Sequence, residues 1–322
     1  MSVSGKSLRY LALDLARGIA LVAMAIYHFG WDLSFFGYVT SAAVNEGPWK
    51  FFARGIASSF LVLVGIGLVL AHQNGIRWAG FWKRWLKIAG AALLITIATY
   101  YFTPDSFIFF GILHQIAFAS LAGLLFLRLH LLALVALGIA LILVAPHLKF
   151  DALNGLHLAW TGLQSQGVRS NDYVPVFPWF GAALIGMGLG KLALNRTLFD
   201  HLQNIPNNAL TGCLSFLGRH SLVTYLVHQP ILIAGIYVFS LIYPAQIDEA
   251  ALQSQFAVSC QKSCGLEQNA RRCAFYCGCV QSELIEADLF TPVMTGQIDF
   301  ASGKPAAISQ QCSVEMFDIP GQ

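Results

Sequence analysis

The chain has 322 residues, of which 57% are hydrophobic and only 11% are charged, and its mean hydropathy is +0.64. Because a soluble domain usually has about 25% charged residues, this composition excludes an ordinary soluble protein and indicates a polytopic membrane protein surrounded by membrane lipid. The net charge of +3 is small, and its distribution is not typical of nucleic-acid binding, so we expect no nucleic acid among the partners.

Charge divides the chain into two parts. Residues 1–245 carry 15 lysines and arginines against 7 acidic residues, a net charge of +8. Residues 246–322 carry 4 against 9, a net charge of −5. We therefore predict a transmembrane domain over 1–245 and an acidic, cysteine-rich tail over 246–322.

Seven apolar segments are candidates for membrane spans, since about 20 residues of helix cross a hydrocarbon core of about 30 Å. They lie near 11–30, 51–71, 86–102, 106–127, 131–146, 176–194 and 220–243. The first contains two charged residues and exceeds the usual length of a signal-peptide apolar region, so we expect it to stay in the protein as a helix. The predicted fold class is all-α, with about seven transmembrane helices and a small helical C-terminal domain.

Lysine and arginine favour alternate loops, the pattern that the positive-inside rule predicts for a cytoplasmic N-terminus. The segments then assigned to the cytoplasm carry Lys6, Arg9, Arg77, Lys83, Arg84, Lys87, Arg128, Lys191 and Arg196. The opposite loops carry Lys50, Lys149 and Arg169. Seven spans from a cytoplasmic N-terminus place the tail on the extracytoplasmic side.

The first apolar segment contains Asp14, Arg17 and His28. A charged side chain inside a membrane segment costs roughly 2.5–3.5 kcal/mol on insertion scales, so this cluster is a candidate functional site. Arg17 and His28 are eleven residues apart, about three helical turns, which brings them to nearly the same helix face. The alternative is that Asp14 and Arg17 pair with each other at the membrane boundary and that His28 is interfacial.

Other polar residues occur in later apolar segments. His114 and Gln115 open the fourth, and His228 lies in the seventh. Polar groups in lipid need partners, and three histidines on three helices favour one convergent polar site. We therefore assign His28, His114 and His228, with Arg17 and Asp14, to one predicted functional site.

Three residues are predicted on the extracytoplasmic side of that site. Trp31 and Asp32 follow His28, and Asp172 precedes a segment with two prolines. Asp172 could face the mouth of a cavity or cap a turn, and the sequence leaves both roles open. Glycines elsewhere, among them Gly65, Gly186 and Gly190, are typical of close helix packing.

Six of the seven cysteines lie in the tail: Cys260, Cys264, Cys273, Cys277, Cys279 and Cys312. This density favours disulfides in an oxidising compartment, which agrees with an extracytoplasmic tail. Two short antiparallel helices would pair Cys260 with Cys277 and Cys264 with Cys273, leaving Cys279 and Cys312, although six cysteines allow fifteen connectivities. A zinc site is the rival, but the spacings match no common finger and the tail has no histidine, so we expect no metal. Cys213 stands alone and is expected to be inert.

Four motifs resemble a known family. The arginine, ten residues and histidine of RGIALVAMAIYH are similar to the first-helix signature of transmembrane acyltransferases. LDLARGIALVAM, FGILHQIA, DYVPVFPWFG and LGRHSLVTYLVHQP resemble bacterial relatives of the heparan-α-glucosaminide N-acetyltransferase catalytic domain, over about residues 8–240. The resemblance implies transfer of an acyl group, with acetyl as the leading candidate, from cytoplasmic acyl-CoA across the bacterial inner membrane. The expected acceptor is an amine or hydroxyl of a sugar-like molecule. The resemblance also implies His28 as the catalytic histidine and Arg17 as its partner.

The residues fit this chemistry. Histidine can act as a base or a nucleophile near neutral pH, and arginine or glutamine can donate to a developing oxyanion. Cations on the predicted cytoplasmic face are candidates for binding the phosphates of acyl-CoA, although the positive-inside rule explains them without a ligand. These candidates are Arg77, Lys83, Arg84, Lys87 and Arg128.

Two other functions remain open at this point. Paired histidines could ligate a b-type haem, and a transporter could line its path with the same polar residues. The sequence argues against a retinal protein, because residues 220–243 contain no lysine for a Schiff base. A homodimer is compatible with the sequence.

Overall fold

The computed structural model describes residues 10–39, 44, 47–196, 205–206, 208–245, 249–264, 269–295 and 298–317. Within these ranges the chain is helical and contains no β-strand, apart from an isolated bridge between Phe150 and Gln164. The predicted all-α fold class is therefore confirmed.

Each of the seven predicted membrane segments contains a helix. The helices are α1 (Leu11–Phe35), α2 (Gly47–His72), α3 (Trp78–Phe102), α4 (Ile112–Phe126), α5 (Leu131–Val144), α6 (Val176–Asn195) and, after a shorter helix α7 (Ala209–Arg219), α8 (Ser221–Ile242). By length and composition, α1, α2, α3, α6 and α8 can cross a membrane. The apolar helices α4 and α5 have only 15 and 14 residues. The described residues thus contain five full-length spans, and the number of seven stays a prediction.

Glycines bring α2 and α6 into backbone contact. A Cβ atom on Gly186 would overlap the carbonyl oxygen of Val62, and one on Gly65 would overlap that of Ala183. Only glycine permits so close an approach. The helix packing predicted for these glycines is confirmed.

The short helix α7, which has eleven residues, is not predicted from the sequence. Asn208 begins it with a capping box: its side chain accepts from the backbone N–H of Thr211 at 2.9 Å, and Thr211 Oγ1 accepts from the N–H of Asn208 at 2.9 Å. A Cβ atom on Gly218 would overlap the carbonyl oxygen of Asp14. The close contact means that α7 supports the first part of α1.

The chain divides into two compact units. One takes in Met1–His28 and Pro48–Leu232, and the other takes in Phe29–Gly47 and Ile233–Gln322. The second unit contains the tail helices α9 (Glu249–Cys264), α10 (Ala270–Glu286), α11 (Phe290–Met294) and α12 (Gly303–Phe317). The predicted domain boundary after residue 245 stays a prediction.

Three disulfides join the tail helices. Cys260–Cys277 and Cys264–Cys273 link α9 to α10, and Cys279–Cys312 links α10 to α12. These disulfides confirm the pairing expected from the cysteine spacing. Residues four apart on a helix share a face, so each of the first two helices presents two cysteines to the other. The tail also has an apolar core of its own, formed by Val280, Leu284, Phe290 and Ile308.

Candidate active site

Two histidines from different helices lie in contact. The rings of His28 in α1 and His228 in α8 have centroids 5.0 Å apart and planes inclined by 57°. Tyr27 lies edge-on to His28 at 5.4 Å, and the Tyr225 ring lies 5.5 Å from that of His228. Two of the three histidines predicted to converge therefore do meet.

A hydrogen bond determines which nitrogen of His228 is available. Nδ1 lies 2.5 Å from the backbone carbonyl oxygen of Tyr225, which is three residues earlier in α8. Since a carbonyl oxygen can only accept, Nδ1 carries the proton. Nε2 therefore has a lone pair, and it is buried without a hydrogen-bond partner in the described part of the chain.

His114 has the opposite tautomer and both of its ring nitrogens are occupied. Nδ1 accepts from the backbone N–H of Gly111 at 3.2 Å, and Nε2 lies 3.1 Å from Thr96 Oγ1. The Thr96 hydroxyl donates its single proton to the carbonyl oxygen of Ile108 at 2.7 Å, so it accepts from the N–H of Nε2. This network holds the start of α4.

Asp172 caps the same helix from a distant segment. Its Oδ2 accepts from the backbone N–H of Ile112 at 2.8 Å, one of the amides that a helix N-terminus leaves unpaired. Burial raises the pKa of Asp172 to about 6, and the hydrogen bond from Ile112 opposes part of that shift. The carboxylate also interacts electrostatically with Tyr27 and Tyr225. Asp172 therefore lies near the tyrosines that flank the histidine pair.

Arg17 and Asp14 form an ion pair within α1. Nη1 of Arg17 lies 3.3 Å from Oδ1 of Asp14, and Asp14 is buried. The Asp14–Arg17 pair, which the sequence left open as an alternative, is therefore observed. Arg17 also lines a cavity, so the pair holds its guanidinium beside an open space.

Two adjoining cavities extend between the helices. Cavity A has a volume of about 450 Å³, and its polar lining consists of His72, Arg77, Arg84, Trp85 and Ser120. Cavity B has a volume of about 250 Å³, and its polar lining consists of Arg17, Arg84, Lys87, Ser221 and Tyr225. The two share Val64, Arg84 and Ile88. A basic surface thus runs from the loop after α2 to Tyr225, whose ring adjoins that of His228.

Not every predicted residue joins this surface. Lys83 and Arg128 are exposed and line neither cavity. Trp31 and Asp32 belong to the second compact unit, where Trp31 stacks on Phe35 at 6.0 Å and Asp32 is buried. Their role on the acceptor side stays a prediction.

Three further residues belong to the site, although no sequence motif identifies them. Thr96 fixes the tautomer of His114, and His72 lines cavity A. Trp49 stacks on Tyr27 at 6.0 Å, and its buried indole N–H has no acceptor among the described residues. A threonine inside an apolar segment is a weak signal, and no local pattern marks the other two.

The histidine pair is not arranged to hold haem. Bis-histidine ligation needs a macrocycle between the two rings, whereas centroids 5.0 Å apart are in direct ring contact. In the part of the chain that the structure describes, no group of three or more histidine, cysteine or acidic side chains could hold a metal ion.

The sequence model of the family described as Heparan-alpha-glucosaminide N-acetyltransferase, catalytic, matches residues 9–230. These residues are more than half of the chain and include both histidines of the contacting pair. The chain belongs to this family. This match confirms the resemblance carried by the four motifs. The family is one of membrane acetyltransferases. No curated protein and no solved structure matches the chain.

Proposed function

We propose that the protein is an integral membrane acyltransferase. It moves an acyl group, for which acetyl is the leading candidate, from cytoplasmic acyl-CoA across the bacterial inner membrane. The acceptor is an amine or hydroxyl of a sugar-like molecule on the extracytoplasmic side. The observation that carries this proposal is the contact between His28 and His228 inside the catalytic domain of the family. Histidine is the side chain best suited to proton transfer near neutral pH.

The two cavities support a binding site for the donor. Acyl-CoA carries phosphates, which cationic side chains bind by charge-assisted hydrogen bonds. Arg77 and Arg84 line cavity A, and Arg17 and Lys87 line cavity B. With the phosphates in cavity A, the pantetheine arm follows cavity B towards Tyr225 and brings the thioester to the histidine pair.

The orientation of the site follows from that of the helices. With the N-terminus cytoplasmic, cavity A opens towards the cytoplasm, because it lies at the end of α2 and the start of α3. His28 and His228 then lie about three and two helical turns further towards the outside than Arg17 and Ser221, respectively. The acceptor approaches from the side of Asp172, and the disulfide-linked tail lies outside.

The first experiment tests acyl-CoA chemistry directly. The purified full-length protein in detergent is incubated with acetyl-CoA labelled in the acetyl group, and free CoA and labelled product are followed with a bacterial envelope extract as acceptor. His28→Ala is the catalytic control, and Lys83→Ala is the matched control that touches neither cavity. CoA release that depends on His28 supports the proposal.

The opposite result is equally informative. A folded protein that neither cleaves nor binds acetyl-CoA by calorimetry contradicts the proposal. The same polar path would then have to be tested for transport, with envelope-derived solutes in reconstituted vesicles.

A further inference from the structure

We infer that His228, rather than His28 alone, takes the proton from the acceptor, through Nε2. This inference rests on the proposed acyl transfer and deepens it, because it assigns the proton-accepting task to the histidine of the pair to which the resemblance gives no role. It starts from the hydrogen bond between Nδ1 and the carbonyl oxygen of Tyr225 at 2.5 Å. The carbonyl holds the ring in a single tautomer and orientation.

The second ring nitrogen of His228, Nε2, is available to accept a proton. Nε2 of His228 is buried and has no hydrogen-bond partner among the residues that the structure describes. An unpaired buried acceptor costs free energy, so structure alone gives no reason to keep it. A substrate N–H or O–H directed at Nε2 satisfies this atom, which is the geometry that a general base requires.

The surroundings of the His228 ring are compatible with a protonated imidazole. The His228 ring contacts His28 from α1 and Tyr225 from α8 itself. Tyr27 lies against His28, and Asp172, from the segment before α6, interacts electrostatically with Tyr225. When Nε2 takes up a proton, the Tyr225 carbonyl still accepts from Nδ1 and stabilises the imidazolium. This carbonyl thus has the orienting role that a carboxylate has in other histidine sites.

His114 provides an internal contrast. Its two nitrogens are engaged by Gly111 and Thr96, so it cannot accept a substrate proton without breaking the network at the start of α4. Of the two later histidines in the predicted site, only His228 therefore combines a fixed tautomer with an available lone pair.

The reaction balances with these groups. The acceptor nitrogen or oxygen attacks the thioester carbonyl carbon and forms the new bond to the acyl group, while its proton passes to Nε2 of His228. The carbon–sulfur bond then breaks, CoA leaves as the thiolate, and the proton returns from Nε2 to give the free thiol. The products are the acylated acceptor and CoA.

Two substitutions separate the base from the hydrogen bond. His228→Asn keeps an amide N–H near the position of Nδ1, able to donate to the Tyr225 carbonyl, and removes Nε2. His228→Gln places an amide near Nε2 instead. Both variants should bind acetyl-CoA with wild-type affinity by calorimetry, and both should lower kcat for transfer to glucosamine by about 10²- to 10⁴-fold.

Hydroxylamine tests the role as a base, because its amine is uncharged at neutral pH and attacks thioesters without proton removal. Transfer to hydroxylamine, measured as the hydroxamate, should fall less than about 10-fold in His228→Asn. His28→Ala is measured in the same assay for comparison.

Diethyl pyrocarbonate gives a readout that needs no acceptor. It modifies unprotonated ring nitrogens, so peptide mass spectrometry should find His228 modified, protected by acetyl-CoA, and His114 unmodified. The inference is overturned if His228 resists the reagent as His114 does, or if His228→Asn transfers to glucosamine within about 3-fold of wild type. If the wild type cleaves no thioester with either acceptor, the proposed function fails as well, so the two failures are distinguishable.

Discussion

The Asp172 carboxylate accepts a hydrogen bond from the backbone N–H of Ile112 at 2.8 Å, across 60 residues of the chain. It joins the segment before α6 to the first turn of α4. Burial raises its pKa to about 6, above the ordinary value of about 3.9. A carboxyl whose pKa is raised on folding binds its proton more tightly in the folded state. Its contribution to stability therefore increases as the pH falls from above 6 to about 4.

We predict that Asp172→Asn melts at a higher temperature than the wild type at pH 7.5, because asparagine can still accept from Ile112 without burying a charge. The difference should shrink as the pH falls through about 6 and be smallest below about 4. Thermal melting in detergent, followed by tryptophan fluorescence over this pH range, measures it. Asp105→Asn, at an exposed acid, is the control, and a pH-independent difference for Asp172→Asn would contradict the prediction.

His114 should prove to be a positioning residue. His114→Asn keeps an acceptor for the Gly111 N–H and loses the bond to Thr96, so we expect a loss of about 1 kcal/mol of stability, the size of a helix cap. The kcat for acyl transfer should stay within a few-fold of wild type, in contrast to His28→Ala. Melting and CoA release on the same preparations measure both effects. A loss of kcat as large as that of His28→Ala at unchanged stability would assign His114 a direct role.

The contact between α7 and α1 can be tested with two glycines of one helix. A Cβ atom on Gly218 would overlap the Asp14 carbonyl oxygen, whereas one on Gly212 would meet nothing within 4 Å. Gly218→Ala should destabilise the protein by about 1–3 kcal/mol and weaken acetyl-CoA binding, because it displaces the turn that carries Arg17. Gly212→Ala should be neutral or slightly stabilising. Equal effects of the two substitutions would mean that the contact is unimportant.

Arg84 and Lys83 are adjacent in sequence but differ in their surroundings. Arg84 lines both cavities and Lys83 lines neither. We expect Arg84→Ala to weaken acetyl-CoA binding by about 10- to 100-fold, the 1.5–3 kcal/mol of a hydrogen bond to a charged group. Lys83→Ala should change affinity by less than about 2-fold, although it removes the same charge. Calorimetry compares them, and similar losses would point to a general electrostatic effect.

The longest of the three disulfide loops should contribute most to the tail. Cys279–Cys312 spans 33 residues and Cys264–Cys273 spans 9. Because loop-closure entropy grows with loop length, replacing both cysteines of the first pair by serine should cost about 2–5 kcal/mol, and more than the same change in the second pair. Hydrogen exchange of 270–317 in the full-length protein measures the loss. A larger effect for the shorter loop would favour strain or local packing over chain entropy.

The sequence by itself determined the features that depend on local periodicity. Apolar runs of about 20 residues specify the helices α1, α2, α3, α6 and α8, since a helix of about that length crosses the hydrocarbon core of a bilayer. The spacing of cysteines by four residues placed them on one helix face and so predicted the disulfide pairing. Arg17, His28 and His228 were recognisable because charged and titratable groups are costly in an apolar segment.

Only the tertiary structure decided what each of these groups can do. Whether a histidine offers Nδ1 or Nε2 depends on the acceptor it meets, and Tyr225 and Thr96 give His228 and His114 opposite tautomers. Which cations line a cavity depends on how α2 and α3 pack, as Arg84 and its neighbour Lys83 show. The bond between Asp172 and Ile112 joins segments that no periodicity relates. These properties arise from contacts between distant parts of the chain, where side-chain geometry rather than residue type determines the chemistry.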